Sequence, residues 1–238
     1  VMGTIRQRSG LNSSFSASYG NQINKSNFDL GYTLSANYSN ETTYYDDAAF
    51  GVWFIEQLDN SILELQNDRS DQGQLGYNNV LWSTLAGFAF KTQKHKISLS
   101  ALHSQNGETR AAFINSLRKE FGQAILEKTN LEYTARGVTN FLMKGRHNLS
   151  GGDLQIDWEL SPTISKMNEP DIRLTSFEIN PDSGVYELNP STAGLPTRTY
   201  RNLDENNYAG KFDITIKKEA KNGTKNKIKL GASSVYKD

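Results

Sequence analysis

Residues 130–162 alternate between apolar and polar side chains over two successive arms, a pattern that leaves room for little except a long antiparallel hairpin. In the first arm Leu131, Tyr133, Ala135, Thr139, Phe141 and Met143 alternate with Glu132, Thr134, Arg136, Asn140 and Lys144. After a polar turn containing Asn148, Ser150, Gly151 and Gly152, the second arm sets Leu154, Ile156, Trp158 and Leu160 against Asp153, Gln155, Asp157 and Glu159. Period two is the period of a strand. A soluble sandwich gives such alternation in runs of about 5–6 residues. Here one face stays free of charge for about ten, the length that crosses a bilayer's hydrocarbon when tilted near ~45°. The expectation is a wall with lipid against Leu131, Tyr133, Phe141, Leu154, Ile156, Trp158 and Leu160, and a wet, charged lumen behind it.

The same pattern recurs along the chain. Leu11, Phe15, Ala17 and Tyr19 share one side of an early strand, and Phe28, Leu30, Tyr32, Leu34, Ala36 and Tyr38 one side of the next. Residues 80–91 have strand character but an ambiguous register, because Trp82, Phe88 and Phe90 compete with Leu81 and Leu85. Ile97, Leu99 and Ala101 return after a tight turn at Gln93-Lys94-His95. Tyr208, Phe212, Ile214 and Ile216, then Ile228, Leu230 and Tyr236, complete the lipid-facing set.

Short turns near residues 23, 94, 149 and 223 alternate with long connections at 40–79, 106–123 and 163–205. The first of these is about 40 residues, against the usual ~2–6. Short strands at 51–55 and 62–65 and a helical turn within 110–121 are expected inside them. Pro170, Pro181, Pro190 and Pro196 argue against a regular strand through the third. The rhythm predicts an all-β, antiparallel, up-and-down transmembrane barrel segment of about eight strands, with short periplasmic turns and long extracellular loops. Tyr19, Phe28, Tyr38, Trp158, Tyr208 and Tyr236 suit interfacial girdles, although aromatic residues are favoured in strands generally.

Composition fits such a wall. Only 36% of residues are apolar and the mean hydropathy is −0.62, too low to bury both faces of many strands. No run approaches ~18 apolar residues, which excludes a helical span. Lys plus Arg equals Asp plus Glu at 26 each, so no basic field gathers nucleic acid. Cysteine is absent, which removes disulfides and thiolate metal sites. Residues 1–10 contain Arg6 and Arg8 and no apolar core of a signal peptide, so an exported chain is expected to begin upstream.

No nucleophile elbow, phosphate loop, His-Glu-x-x-His pair or dinucleotide glycine pattern appears, so no catalysis and no cofactor are expected. His95, His103 and His147 read as solvated side chains, with Lys94, Lys96 and Arg146 beside two of them. Asp46 with Asp47, and Asp68 with Asp71, offer a calcium alternative to plain loop solvation, at a spacing unlike an EF-hand. Glu132, Arg136, Asp157 and Glu159 read as ion-paired lumen residues rather than a catalytic pair.

Several phrases together resemble a known family. They are Asn130-Leu131-Glu132-Tyr133-Thr134, Thr139-Asn140-Phe141-Leu142, Asp157-Trp158-Glu159-Leu160-Ser161-Pro162 and Glu169-Pro170-Asp171-Ile172-Arg173. Ser9-Gly10-Leu11-Asn12, Thr43-Tyr44-Tyr45-Asp46-Asp47 and Tyr200-Arg201-Asn202-Leu203 fit the same picture. The chain looks like the barrel of TonB-dependent outer-membrane receptors, most similar to SusC-like receptors carrying a carboxypeptidase-regulatory-like domain. The resemblance implies about 22 strands around a plug, coupling to TonB through that plug, and import of a bulky nutrient: siderophore, cobalamin or oligosaccharide. It also implies a bacterial outer-membrane location and allows a surface lipoprotein lid. With no plug, no TonB box, about eight strands and no terminal aromatic after Val235-Tyr236-Lys237-Asp238, the chain reads as a piece of receptor wall. Ligand contact is expected from the long loops, at Tyr44, Tyr45, Arg110 and Arg201. The competing architecture is a soluble or surface β-sandwich that binds carbohydrate or adheres to a partner.

Overall fold

The computed structural model describes residues 3–59, 62–119, 124–219 and 225–238. The strands are β1 (Ser13–Asn24), β2 (Asp29–Asp59), β3 (Ile62–Lys91), β4 (His95–Arg118), β5 (Ala124–Leu149), β6 (Leu154–Ile179), the two-residue β7 (Tyr186–Glu187), β8 (Thr197–Glu219) and β9 (Lys225–Lys237). All belong to one antiparallel sheet in the order β1-β2-β3-β4-β5-β6-β8-β9, with β7 attached to β6. The fold is an up-and-down meander of eight long strands, and it is open. No second sheet packs against it, so the two-layer sandwich is not the architecture of the described residues. They also lack an ordinary core: Ala124 and Leu126 are the only buried apolar side chains among them.

Short turns gather at one end. Lys25 N–H bonds to Phe28 C=O across the first, and Thr92 N–H to His95 C=O across the second, where Thr92 Oγ1 also accepts from Lys94 and His95 N–H. The third turn places Ser150, Gly151 and Gly152 at φ +51°, +69° and +104°, and glycine adopts the last two without strain, whereas Ser150 is a non-glycine residue with positive φ. The turn expected near residue 223 falls largely outside the described residues.

The opposite end corrects the expected long loops. Residues 40–59 and 62–79 are the far halves of β2 and β3, which are 31 and 30 residues long and remain paired from Asp29↔Lys91 to Asp59↔Ile62, and 60–61 lie outside the described residues. Residues 110–118 are strand, not helix. β6 continues through Pro162 and Pro170 to Ile179. Pro170 is accommodated because it sits in a β-bulge between Glu169 and Ile172, where a missing N–H costs no ladder bond. Among the described residues only 180–196 is a long connection, and it holds Pro181, Pro190 and Pro196. It folds back over both sides of the sheet. Tyr186 O–H donates to Glu127 at 3.0 Å, Asn189 donates to Glu178 at 2.7 Å, and Arg118 donates to the Thr192 carbonyl at 3.1 Å.

Cross-strand partners share a face, so the register carries the alternation of each strand across the sheet. One row runs Ile23, Leu30, Phe90, Ile97, Gly145, Trp158, Phe212 and Ala232. In it the indole of Trp158 lies over Gly145, where an added Cβ would meet the ring at 2.2 Å. Gly145→Ala is therefore expected to destabilise by about 1–3 kcal/mol, read as a lower urea midpoint of tryptophan fluorescence. Gly31→Ala, with nothing within 4 Å of the new methyl, serves as the control and should match or exceed wild type.

Candidate functional site

The residues expected to face lipid all fall on one face: Phe28, Leu30, Tyr32, Leu34 and Tyr38 from β2 and its turn, Leu131, Tyr133 and Phe141 from β5, Leu154, Ile156, Trp158 and Leu160 from β6, and Phe212, Ile214 and Ile216 from β8. The register resolves β3 by adding Trp82, Phe88 and Phe90 to this face and sending Leu81 and Leu85 to the other. No Lys, Arg, Asp or Glu interrupts the face over 28–44, 72–90, 95–117, 129–147, 154–165 or 205–216 at the positions that share it. Many of its large side chains are exposed, among them Leu34, Phe88, Leu99, Leu160 and Phe212.

Two histidines lie at the turn end of this face, within a network rather than plain solvent. Trp158 Nε1–H donates to His147 Nε2 at 3.0 Å, and His147 Nδ1 lies 3.0 Å from His95 Nδ1. Since indole only donates, Nε2 of His147 must accept, and its proton sits on Nδ1, directed to His95. Lys96 and Arg146, their sequence neighbours, point to the opposite face. His103 meets Thr139 Oγ1 at 2.8 Å and stacks near Trp82.

The other face carries the charges. Arg146 pairs with Asp157 at 2.6 Å, Lys144 with Glu159 at 3.3 Å, Arg136 with Glu108 at 3.4 Å, and Glu132 accepts from Asn130 at 2.6 Å. Of the four expected ligand residues, Tyr45, Arg110 and Arg201 lie here and Tyr44 does not. All four stand on paired strands, not loops. Tyr77 links two of them: its ring is edge-on to Tyr45 at 6.5 Å, and the Arg110 guanidinium lies 5.4 Å from its centroid. Glu108 binds Arg110 as well. Arg201 is held by Glu169, a residue only 6% exposed, whose carboxylate also accepts from Thr134. Tyr77, Glu108 and Glu169 were not singled out from sequence; Glu169 stood inside the Glu-Pro-Asp-Ile-Arg phrase.

Tyr44 is on the apolar side, where its hydroxyl and Arg6 both bind Asp46, at 2.9 and 2.8 Å. The segment 4–10 crosses the sheet there and encloses a cavity of 820 Å³. Asp47 accepts from Gln72 and Asp71 pairs with Arg69, and among the described residues no three His, Cys, Asp or Glu side chains come together as a metal site. No described helix is long and apolar enough to cross a membrane, which says nothing of strands. Comparison of the chain with protein-family models, with curated proteins and with solved structures gives no match.

The bulge at Pro170 inverts the alternation of β6, so that Arg173 lies opposite Leu131 on the apolar side, beyond the uncharged stretch of β6. There Asp171 takes hydrogen bonds from Arg198 and Arg173, which hold its carboxyl well below the usual carboxylate range. A depressed folded pKa means stability present above the unfolded pKa and lost as pH falls toward the folded one. The gap in urea midpoint between wild type and Asp171→Asn should therefore be full at about pH 6 and narrow steadily to about pH 2.5. A gap constant over that window would show that the arginines do not select the ionised form.

Proposed function

We propose that this sheet is part of the barrel wall of a TonB-dependent outer-membrane receptor of SusC-like type, importing a bulky nutrient such as a siderophore, cobalamin or an oligosaccharide. The observation that carries the reading is the uncharged apolar face maintained across eight strands, with no core to bury it. A face of exposed Leu, Phe and Tyr on this scale needs a nonpolar medium. Strands crossing hydrocarbon satisfy their backbone only through neighbouring strands, which is how this sheet is bonded. Short turns at one end and hairpins that project far past the apolar band at the other suit periplasmic and extracellular ends.

In this reading bilayer lipid covers the apolar face. A plug, engaging TonB, fills the space before the charged face, and a lipoprotein lid has the projecting hairpins as its seat. The nutrient meets Tyr45, Tyr77 and Arg110, then Arg201, on its way along the charged face. The wall's contribution is passage and recognition, without chemistry on the ligand.

Far-UV circular dichroism with size-exclusion chromatography, in plain buffer and after refolding into detergent micelles, tests the membrane reading. β-structure dependent on micelles is expected; a monodisperse β-protein in plain buffer would overturn it. Within micelles, Leu99→Arg on the apolar face should cost about 2–4 kcal/mol, whereas Ser100→Arg on the charged face should be tolerated.

A further inference from the structure

The turn end of the charged face holds a cleft of 340 Å³ lined by Lys96, Lys144, Arg146, Lys211 and Lys229, with Asp157, Glu159 and Asp213 among them. Each carboxylate is already engaged: Asp157 by Arg146, Glu159 by Lys144, and Asp213 by both Lys229 at 3.1 Å and Lys211 at 3.5 Å. Lys96 makes no ion pair among the described residues, nor do Lys217 and Lys227, which face each other one step nearer the turns. Lys217 reaches only the neutral Gln155, at 3.3 Å. The chain as a whole is neutral, so this end of one face carries a local excess of positive charge.

We infer that this surface docks an acidic polypeptide segment lying across β4, β5, β6, β8 and β9. Lys96 on β4 and Lys227 on β9 stand at the two sides of these five strands, about 19 Å apart across the strands at ~4.8 Å per strand and further apart along them. One phosphate or carboxylate cannot bridge them; an extended chain places side chains of one face every ~6.6 Å and can. The interspersed Asp157, Glu159 and Asp213 repel a uniform polyanion such as polyphosphate or nucleic acid. A polypeptide meets them with backbone N–H donors while its own carboxylates take Lys96, Lys217 and Lys227. Anionic lipid headgroups are the poorer fit, since these cations point away from the apolar face. The inference rests on the charge pattern of the sheet, whatever covers its other side.

The test is fluorescence polarisation with a labelled peptide of about a dozen alternating Glu and Ser residues, using the full chain folded in micelles and checked by circular dichroism. Binding that weakens with salt is expected, together with a loss of about tenfold in the Lys96→Gln/Lys227→Gln variant. Lys166→Gln/Arg198→Gln, which removes the same charge from the other side of the sheet, should leave binding within about twofold. No binding by the folded chain, equal losses in both variants, or displacement of the peptide by inorganic tripolyphosphate at lower concentration would each overturn the inference.

Discussion

The inter-strand hydrogen-bond ladder is what the rest of this structure depends on. With one layer and almost no buried apolar side chain among the described residues, no packed core gathers the strands independently of their pairing. In water each ladder bond nets only about 0.5–1.5 kcal/mol, because unfolded amides bond to solvent instead. In hydrocarbon that competition vanishes, and leaving an N–H or C=O unpaired costs several kcal/mol. A sheet without a core is thus a weak structure in water and a strong one in a nonpolar medium. The chemistry of its two faces agrees with that asymmetry.

The same ladder turns a local rhythm into a surface. Once Leu30 is opposite Phe90, and Phe90 opposite Ile97, the alternation of each strand is no longer separate, and a slip by one residue would invert an entire face. The exceptions fall outside the uncharged band. Bulges at Tyr45/Ala48 and Glu169/Ile172 lie in the projecting hairpins, beyond the uncharged stretches of β2 and β6. The second inversion is what brings Asp171, Arg173 and Arg198 together. It forms a charged cluster above the apolar band from a strand that bears only uncharged residues on that side between Leu154 and Ile164.

This division also explains what the sequence could show. Strands at 28–38, 154–160 and 208–216 were legible because one face is apolar and the other is not. The far half of β2 reads Glu41, Thr42, Thr43, Tyr44, Tyr45, Asp46, Asp47, with no contrast for a period to reveal. Its pairing is with residues 62–79, and non-local pairing is not written in either segment alone. Tyr44 and Tyr45 show the consequence for the site. Treated as loop residues they were placed together, but neighbours in a strand must face opposite ways, and they do. Tyr77 was hidden because residues 40–79 read as a connection, and the strand pairing there is also what brings it beside Tyr45 and Arg110.

The edges limit how such a sheet can be completed. Where β1 stops, Asn12 imitates another strand residue: its side-chain amide donates to the Thr42 carbonyl and accepts from the Thr42 N–H, satisfying β2 at the point where pairing ends. β1 and β9 end the strand order, and β1 is exposed along its whole length. Because the sheet contains eight long strands in strict up-and-down order, β1 and β9 run in opposite directions. A ring that stays antiparallel throughout closes only if the strands joining those two edges are even in number. An antiparallel ring built on this sheet therefore has an even total of strands, as single-chain barrels of the bacterial outer membrane do.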